Sequence, residues 1–453
     1  MTASPFPHRT FTGWATDFSS VPLLEPWPST SLDGRVQTDL HHAFGRAQEA
    51  GYNEVILWGL ACGRSWSPHL PDTLTLQRAR TVRAVISDAR AHGLSLFLGV
   101  GVYSWGYDRI IAEHPGLDGG SEQAMCVSQP EAWEWVQRIL DFMVDQFDPD
   151  GFSMQSADQG RCPCDRCAEM SVLEYHSRAT AQTAAYLRSR WPSKIIQVST
   201  WGLDLGNPAE RDAIVAMARD VDVLNDQANS AARAGSDERR GLIQALANTG
   251  CSYGTENGWY IDPPPFWGRD RWFLPIALRN VDYYRRLQAD GGSAVERYIL
   301  PLANPGAEVG FIFDGLLLSQ SDRDPVSALA QALTAVFDPR PSALDALLAM
   351  WRTVESAYLD NTSTGRSERA IHLSSVHYSG LLPTERQLLR PEYLLRMTPA
   401  GLDSYRRALH EAFEMTGKIQ HELGRADRAH ALRASVGTAL ADVERISAYR
   451  GGR

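Results

Sequence analysis

Lysine is almost missing from this chain. Of its 44 basic residues only Lys194 and Lys418 are lysines. That removes most routes to Schiff-base chemistry, and no Gly-Lys-Ser/Thr step exists for a phosphate-binding loop. The 12 histidines are scattered, with no HxH and no HExxH, so a His-ligated hydrolytic metal is not expected. No run of about 18 apolar residues occurs, so no membrane partner is expected. Residues 1–10 lack the apolar stretch of a secretory signal, and a cytoplasmic location is the expectation. Six cysteines in 453 residues make no disulfide framework, although three crowd into one loop. The net charge of -10 comes with no basic face, which disfavours nucleic acid.

What is present is ordinary in amount and distinctive in placement. A hydrophobic share of 43% and a charged share of 22% suit a folded globular chain, and 13 tryptophans are many. Short apolar or β-branched runs alternate with helical patterns as far as about residue 337. Strands are expected at 11–15, 54–58, 95–100, 151–155, 195–200, 221–224, 251–254 and 309–313. Between them run stripes such as Leu76, Ala79, Val82, Ile86, Ala89 and Val136, Ile139, Leu140, Met143, Phe147. Pro130, Pro208 and Pro325 stand where helices should start, the last two behind Asn207 and Asp324 as caps. Eight strand–helix alternations of this size predict a (β/α)8 TIM barrel over 1–338. An open doubly wound sheet is the rival, but no GxGxxG follows the first strand. Residues 339–453 show helical stripes and no strand of any length. They form a C-terminal α-helical domain expected to pack on the barrel, with a homodimer left open.

In such barrels functional residues lie at the C-terminal ends of the strands. Reading past each run gives Trp14 and Asp17, Trp58 and Arg64, Tyr103 and Trp105, Asp158 and Gln159. Then come Trp201, Asn225 with Asp226, Glu256 with Asn257 and Trp259, and Asp314. Aromatic faces pack against the C–H faces of sugar rings, and carboxylates, amides and Arg64 pair with hydroxyls or an acidic sugar. Two carboxyl groups flanking a glycosidic bond suffice for its cleavage, one as acid and one as nucleophile or base. This pattern points to a glycoside hydrolase acting on a small oligosaccharide or glycoside, with no cofactor needed for catalysis. Asp158 is the candidate acid, Glu256 the base or nucleophile, and Asp226 a supporting carboxylate. Glu256 stands out because glutamate is a poor turn former, yet it sits between a strand and the polar stretch Asn257, Gly258, Trp259. Asp17 and Asp314 are as readily read as helix caps or loop anchors. A non-catalytic carbohydrate-binding barrel and a carbohydrate lyase are the alternatives.

After the fourth strand the run Cys162, Cys164, Cys167 puts three thiols within reach of one ion. Zinc wants four ligands, and a fourth could come from Cys126, Cys62 or His176. A structural zinc, a packed set of reduced thiols and a redox pair compete. A catalytic thiol is least favoured, because no histidine neighbours the motif.

Ser156, Ala157, Asp158, Gln159, Gly160 followed by CxCxxC resembles uncharacterised bacterial barrel proteins related to the α-glucuronidases and, more remotely, to the β-hexosaminidase superfamily. The likeness runs over about residues 150–330. It implies a general acid after strand 4, two later carboxylates placed like Asp226 and Glu256, and inversion at the anomeric carbon. Where that pattern has Glu before the glycine, this chain has Gln159, which cannot donate a proton as an acid does. Either Asp158 takes the role, the acid comes from elsewhere, or the site does not hydrolyse.

Overall fold

The computed structural model describes residues 4–14, 32–62, 65–121, 123–156, 160–200, 205–226, 234–256, 277–300, 305–320, 322–361 and 398–451, with a few shorter pieces between them. Eight parallel strands close into a barrel: β1 (His8–Trp14), β2 (Glu54–Trp58), β3 (Ser95–Gly101), β6 (Gly151–Gln155), β7 (Ile195–Ser199), β8 (Val223–Asp226), β9 (Ser252–Glu256) and β10 (Ala294–Tyr298). A small hairpin, β4 (Asp118–Ser121) and β5 (Ala124–Met125), is inserted after β3.

The helices form where their ends are satisfied. Asp33 accepts from the Arg35 and Val36 amides at the start of α1 (Gly34–Ala50), and Gly51, with φ 91°, closes it in the left-handed region. Thr75 caps α2 (Leu76–Ala91), where Ala79, Val82, Ile86 and Ala89 are buried as expected while Leu76 is exposed. The short α3 (Asp108–Glu113) precedes the hairpin. Pro130 opens α4 (Pro130–Phe147), whose expected stripe is buried. A single turn, α5 (Asp165–Ala168), leads to α6 (Val172–Arg190). Pro208 begins only a 3-10 turn ahead of α7 (Arg211–Met217). The barrel layer continues with α8 (Asp237–Ala247), α9 (Leu278–Ala289), α10 (Pro305–Ser319) and α11 (Pro325–Phe337), the last capped by Asp324. Then follow α12 (Pro341–Asn361), α13 (Pro399–Ile419) and α14 (Ala426–Gly451). No helix among the described residues is long and apolar enough to cross a membrane.

The strand expected at 309–313 is instead the middle of α10, and the eighth strand is β10. Every described residue of α10 from Pro305 to Leu318 is buried, so the helix lacks a polar face and its apolar run imitates a core strand. Residues on β10 carry the opposite disguise: Glu296 and Arg297 are both buried, one on each side of the sheet. Arg297 meets Asp314 of α10 at 2.5 Å, with both side chains fully buried. Glu308, also on α10, binds Arg46 of α1 at 2.9 Å and Arg428 of α14 at 3.2 Å. That ion cluster ties the C-terminal helices to the barrel wall.

Candidate active site

The C-terminal mouth of the barrel holds three of the expected tryptophans together. Trp14 ends β1, Trp58 ends β2, and Trp105 follows β3. Trp14 stacks on Trp58 with ring centroids 5.3 Å apart and lies 5.1 Å from Trp105, which is 5.6 Å from Trp58. Trp58 and Trp105 are buried, whereas Trp14 is partly exposed. Glycines in β3 make the cluster possible. A Cβ on Gly99 would lie 2.1 Å from the Trp58 ring, and one on Gly101 2.5 Å from the Trp105 ring. Tyr103 adopts φ 60°, and this turn brings Trp105 back over Gly101. The amide of Val102 and the hydroxyl of Ser104 both donate to the carbonyl of Gln155, fastening the turn to the end of β6.

Below the tryptophans the barrel interior carries a polar network beside the apolar side chains of Ile56 and Phe97. The Asn225 side-chain amide donates to Glu296 at 2.8 Å and to the Gln197 carbonyl oxygen at 3.3 Å. The Gln197 amide in turn donates to Glu54 at 2.9 Å, and Thr10 donates to the same carboxylate oxygen at 2.7 Å. His8 approaches the other Glu54 oxygen at 2.7 Å. Burial pushes the Glu296 carboxyl up to about 8, with the Glu54 charge adding to the effect against the hydrogen bonds of Asn225 and Thr12. That direction favours the protonated form of Glu296 at neutral pH.

A stability consequence follows, with a definite sign. Between the ordinary glutamate range and about 8 the native chain holds one proton that the unfolded chain has lost. Native stability should then fall as pH rises through that window, by up to about 1.4 kcal/mol per pH unit for one group. Glu296→Gln keeps the shape and both hydrogen-bonding roles but cannot ionise. Urea midpoints at about pH 5 and about pH 8 should fall less between the two conditions in the variant. An equal fall in both proteins would show that Glu296 is already ionised in the fold.

Asn225 and Asp226 are neighbours on β8 and point to opposite sides of the sheet. Asp226 is fully buried in the layer between strand and helix, where the Tyr253 hydroxyl donates to it at 2.7 Å. It lies on the outer face of its strand, away from the Asn225–Glu296 network. Contrary to the sequence pattern, Asp314 does not follow a strand: it lies inside α10, taking hydrogen bonds from Asn280 at 2.9 and 3.2 Å as well as from Arg297. Glu256 is the last residue of β9, its Cα paired with that of Glu296. Asp17, Arg64, Asp158, Gln159, Trp201, Asn257 and Trp259 lie outside the described residues.

The thiols of Cys162, Cys164 and Cys167 converge with that of Cys126, all four sulfurs within 4.8 Å of one another. Glu54, Gln197 and Glu296 had no place in the sequence reading. Each sits inside a strand rather than beyond it, and β10 was not recognised as a strand.

Two solved structures share the architecture. A GH138 enzyme targeting pectin rhamnogalacturonan II superposes with a TM-score of 0.64 at 10% identity, covering 97% of this chain and 71% of its own. A mutant of the O-GlcNAc hydrolase of Thermobaculum terrenum gives 0.54 at 11% identity, covering 98% and 83%. No family model and no curated protein matches the sequence. The likeness is one of fold: a closed eight-stranded barrel with helices after it.

Proposed function

We propose that the protein is a glycoside hydrolase whose substrate enters the C-terminal mouth of the barrel. The observation that carries this reading is the three-tryptophan cluster there, ending on the partly exposed face of Trp14. An indole face offers a sugar ring a flat apolar partner, and the barrel mouth is where this architecture places catalytic loops. Both solved structures of like fold are named for action on carbohydrate, which supports the same class here.

In this reading Glu256 is the base or nucleophile, standing at the last position of β9, and Asp158 is the acid. Asp17, Arg64, Gln159, Trp201, Asn257 and Trp259 are the proposed substrate-binding residues. Asp226 and Asp314 take structural roles. A carboxyl separation of about 5–5.5 Å would give retention, and about 6.5–9.5 Å inversion. Glu256 and Asp158 supply the proton transfers themselves, so the reaction needs no cofactor.

Trp14→Ala tests the platform. It should raise KM for a hydrolysed glycoside by about tenfold, the loss of roughly 1–1.5 kcal/mol of stacking, with a smaller change in kcat. A KM equal to that of the intact protein would take Trp14 out of the binding site.

A further inference from the structure

The four clustered thiols come from two separate stretches of chain. Cys126 follows the hairpin β4–β5, while Cys162, Cys164 and Cys167 lie in the connection from β6 to α6. Cys126 Sγ is 3.7 Å from Cys164 Sγ and 3.7 Å from Cys167 Sγ. Four thiolates bound to one zinc ion at about 2.3 Å would stand about 3.8 Å apart, the edge of the tetrahedron. A disulfide would need about 2.05 Å, and all these cysteines are free.

The Ser128 hydroxyl lies 3.0 Å from Cys167 Sγ. Cys126, Cys162 and Cys167 are buried and Cys164 half-buried, which shields bound metal from solvent. The hairpin is also shaped to this loop: Gly120, with φ +88°, leaves room for Pro163, whose ring would sit 2.4 Å from any added Cβ.

We propose that Cys126, Cys162, Cys164 and Cys167 bind one zinc ion as a closed structural site that clamps the β4–β5 hairpin to the loop leaving β6. All four corners of the tetrahedron are protein ligands, so no position remains for water or substrate and the ion is not catalytic. Zinc is favoured over harder ions by the all-sulfur donor set. Binding releases the thiol protons to solvent. The assignment is independent of the glycosidase reading.

The test uses the full chain, expressed with zinc in the medium and purified without chelators. Elemental analysis should find about one zinc per chain. Cys126→Ser and Cys164→Ser should lose it, while Cys62→Ser and Cys251→Ser, outside the cluster, should retain it. Should the cluster variants fail to fold, the intact protein still decides. Stripped under reducing conditions and given cobalt(II), it should show thiolate-to-metal charge-transfer bands and the intense visible bands of a tetrahedral ion. Less than about a tenth of an equivalent of zinc together with no tetrahedral cobalt spectrum would overturn the proposal. Full zinc retention by Cys126→Ser would overturn the four-thiolate set, and a coloured chain holding iron in place of zinc would overturn the choice of metal.

Discussion

Glu256→Gln should lower kcat/KM for the best glycoside substrate by a factor of hundreds or more. The substitution keeps side-chain size and some hydrogen bonding but removes the charge, and with it both proton abstraction and nucleophilic attack. General acid–base assistance alone contributes about 10²–10⁴ in rate, so a residue in that role cannot be lost quietly. Steady-state kinetics on the purified variant, with circular dichroism to confirm its fold, would check it. The loss should fall on kcat more than on KM, because the charge acts in the transition state. Turnover equal to that of the intact protein would remove Glu256 from the mechanism. Asp226 would be a poor replacement, being buried beyond the barrel wall with Tyr253 as its partner.

The second large effect is on stability. Asp314→Ala leaves the Arg297 guanidinium fully buried without its carboxylate, which was 2.5 Å away. Breaking a buried pair by removing one partner costs about 3–5 kcal/mol, far more than an intact pair contributes. The urea midpoint should drop accordingly, while KM of the protein that remains folded stays unchanged. The double variant Arg297→Met with Asp314→Leu should recover much of the loss, since an apolar pair of similar volume carries no buried charge. A residue that touched sugar at the rim would behave in the opposite way, with KM raised and the midpoint unmoved. Such a result would restore Asp314 to the mouth.

How much of this was legible beforehand depended on what each residue's burial hides. Seven of the eight strands coincide with short apolar or β-branched runs, whose apolar residues face the helix layer or the barrel interior. The eighth escaped for a physical reason. Glu296 and Arg297 sit on β10 as buried ionisable groups, each matched by a partner distant in sequence, Asn225 and Asp314. Nothing local announces such partners. The same pairing explains why α10 was read as a strand, since a helix buried all round loses the periodic polar face that marks it.

At the site, strand ends were a good guide to the tryptophans. Trp14, Trp58 and Trp105 meet because β1, β2 and β3 are neighbours in the barrel. Carboxylates were harder, because one residue of register separates a lumen position from a wall position. Asn225 and Asp226 show this: the amide enters the interior network and the carboxylate does not. The fourth thiol was one of three possibilities until the hairpin placed Cys126 against the CxCxxC loop.

Incubating the intact protein with a broad panel of aryl α- and β-glycosides, uronides included, and following aglycone release with analysis of the sugar product is the most direct measurement. The account predicts turnover of at least one member, giving a saturated free sugar by addition of water. An unsaturated, ultraviolet-absorbing sugar would instead identify a lyase. Saturable sugar binding at the tryptophan mouth with no product from any member would contradict the hydrolase reading and leave a carbohydrate-binding barrel.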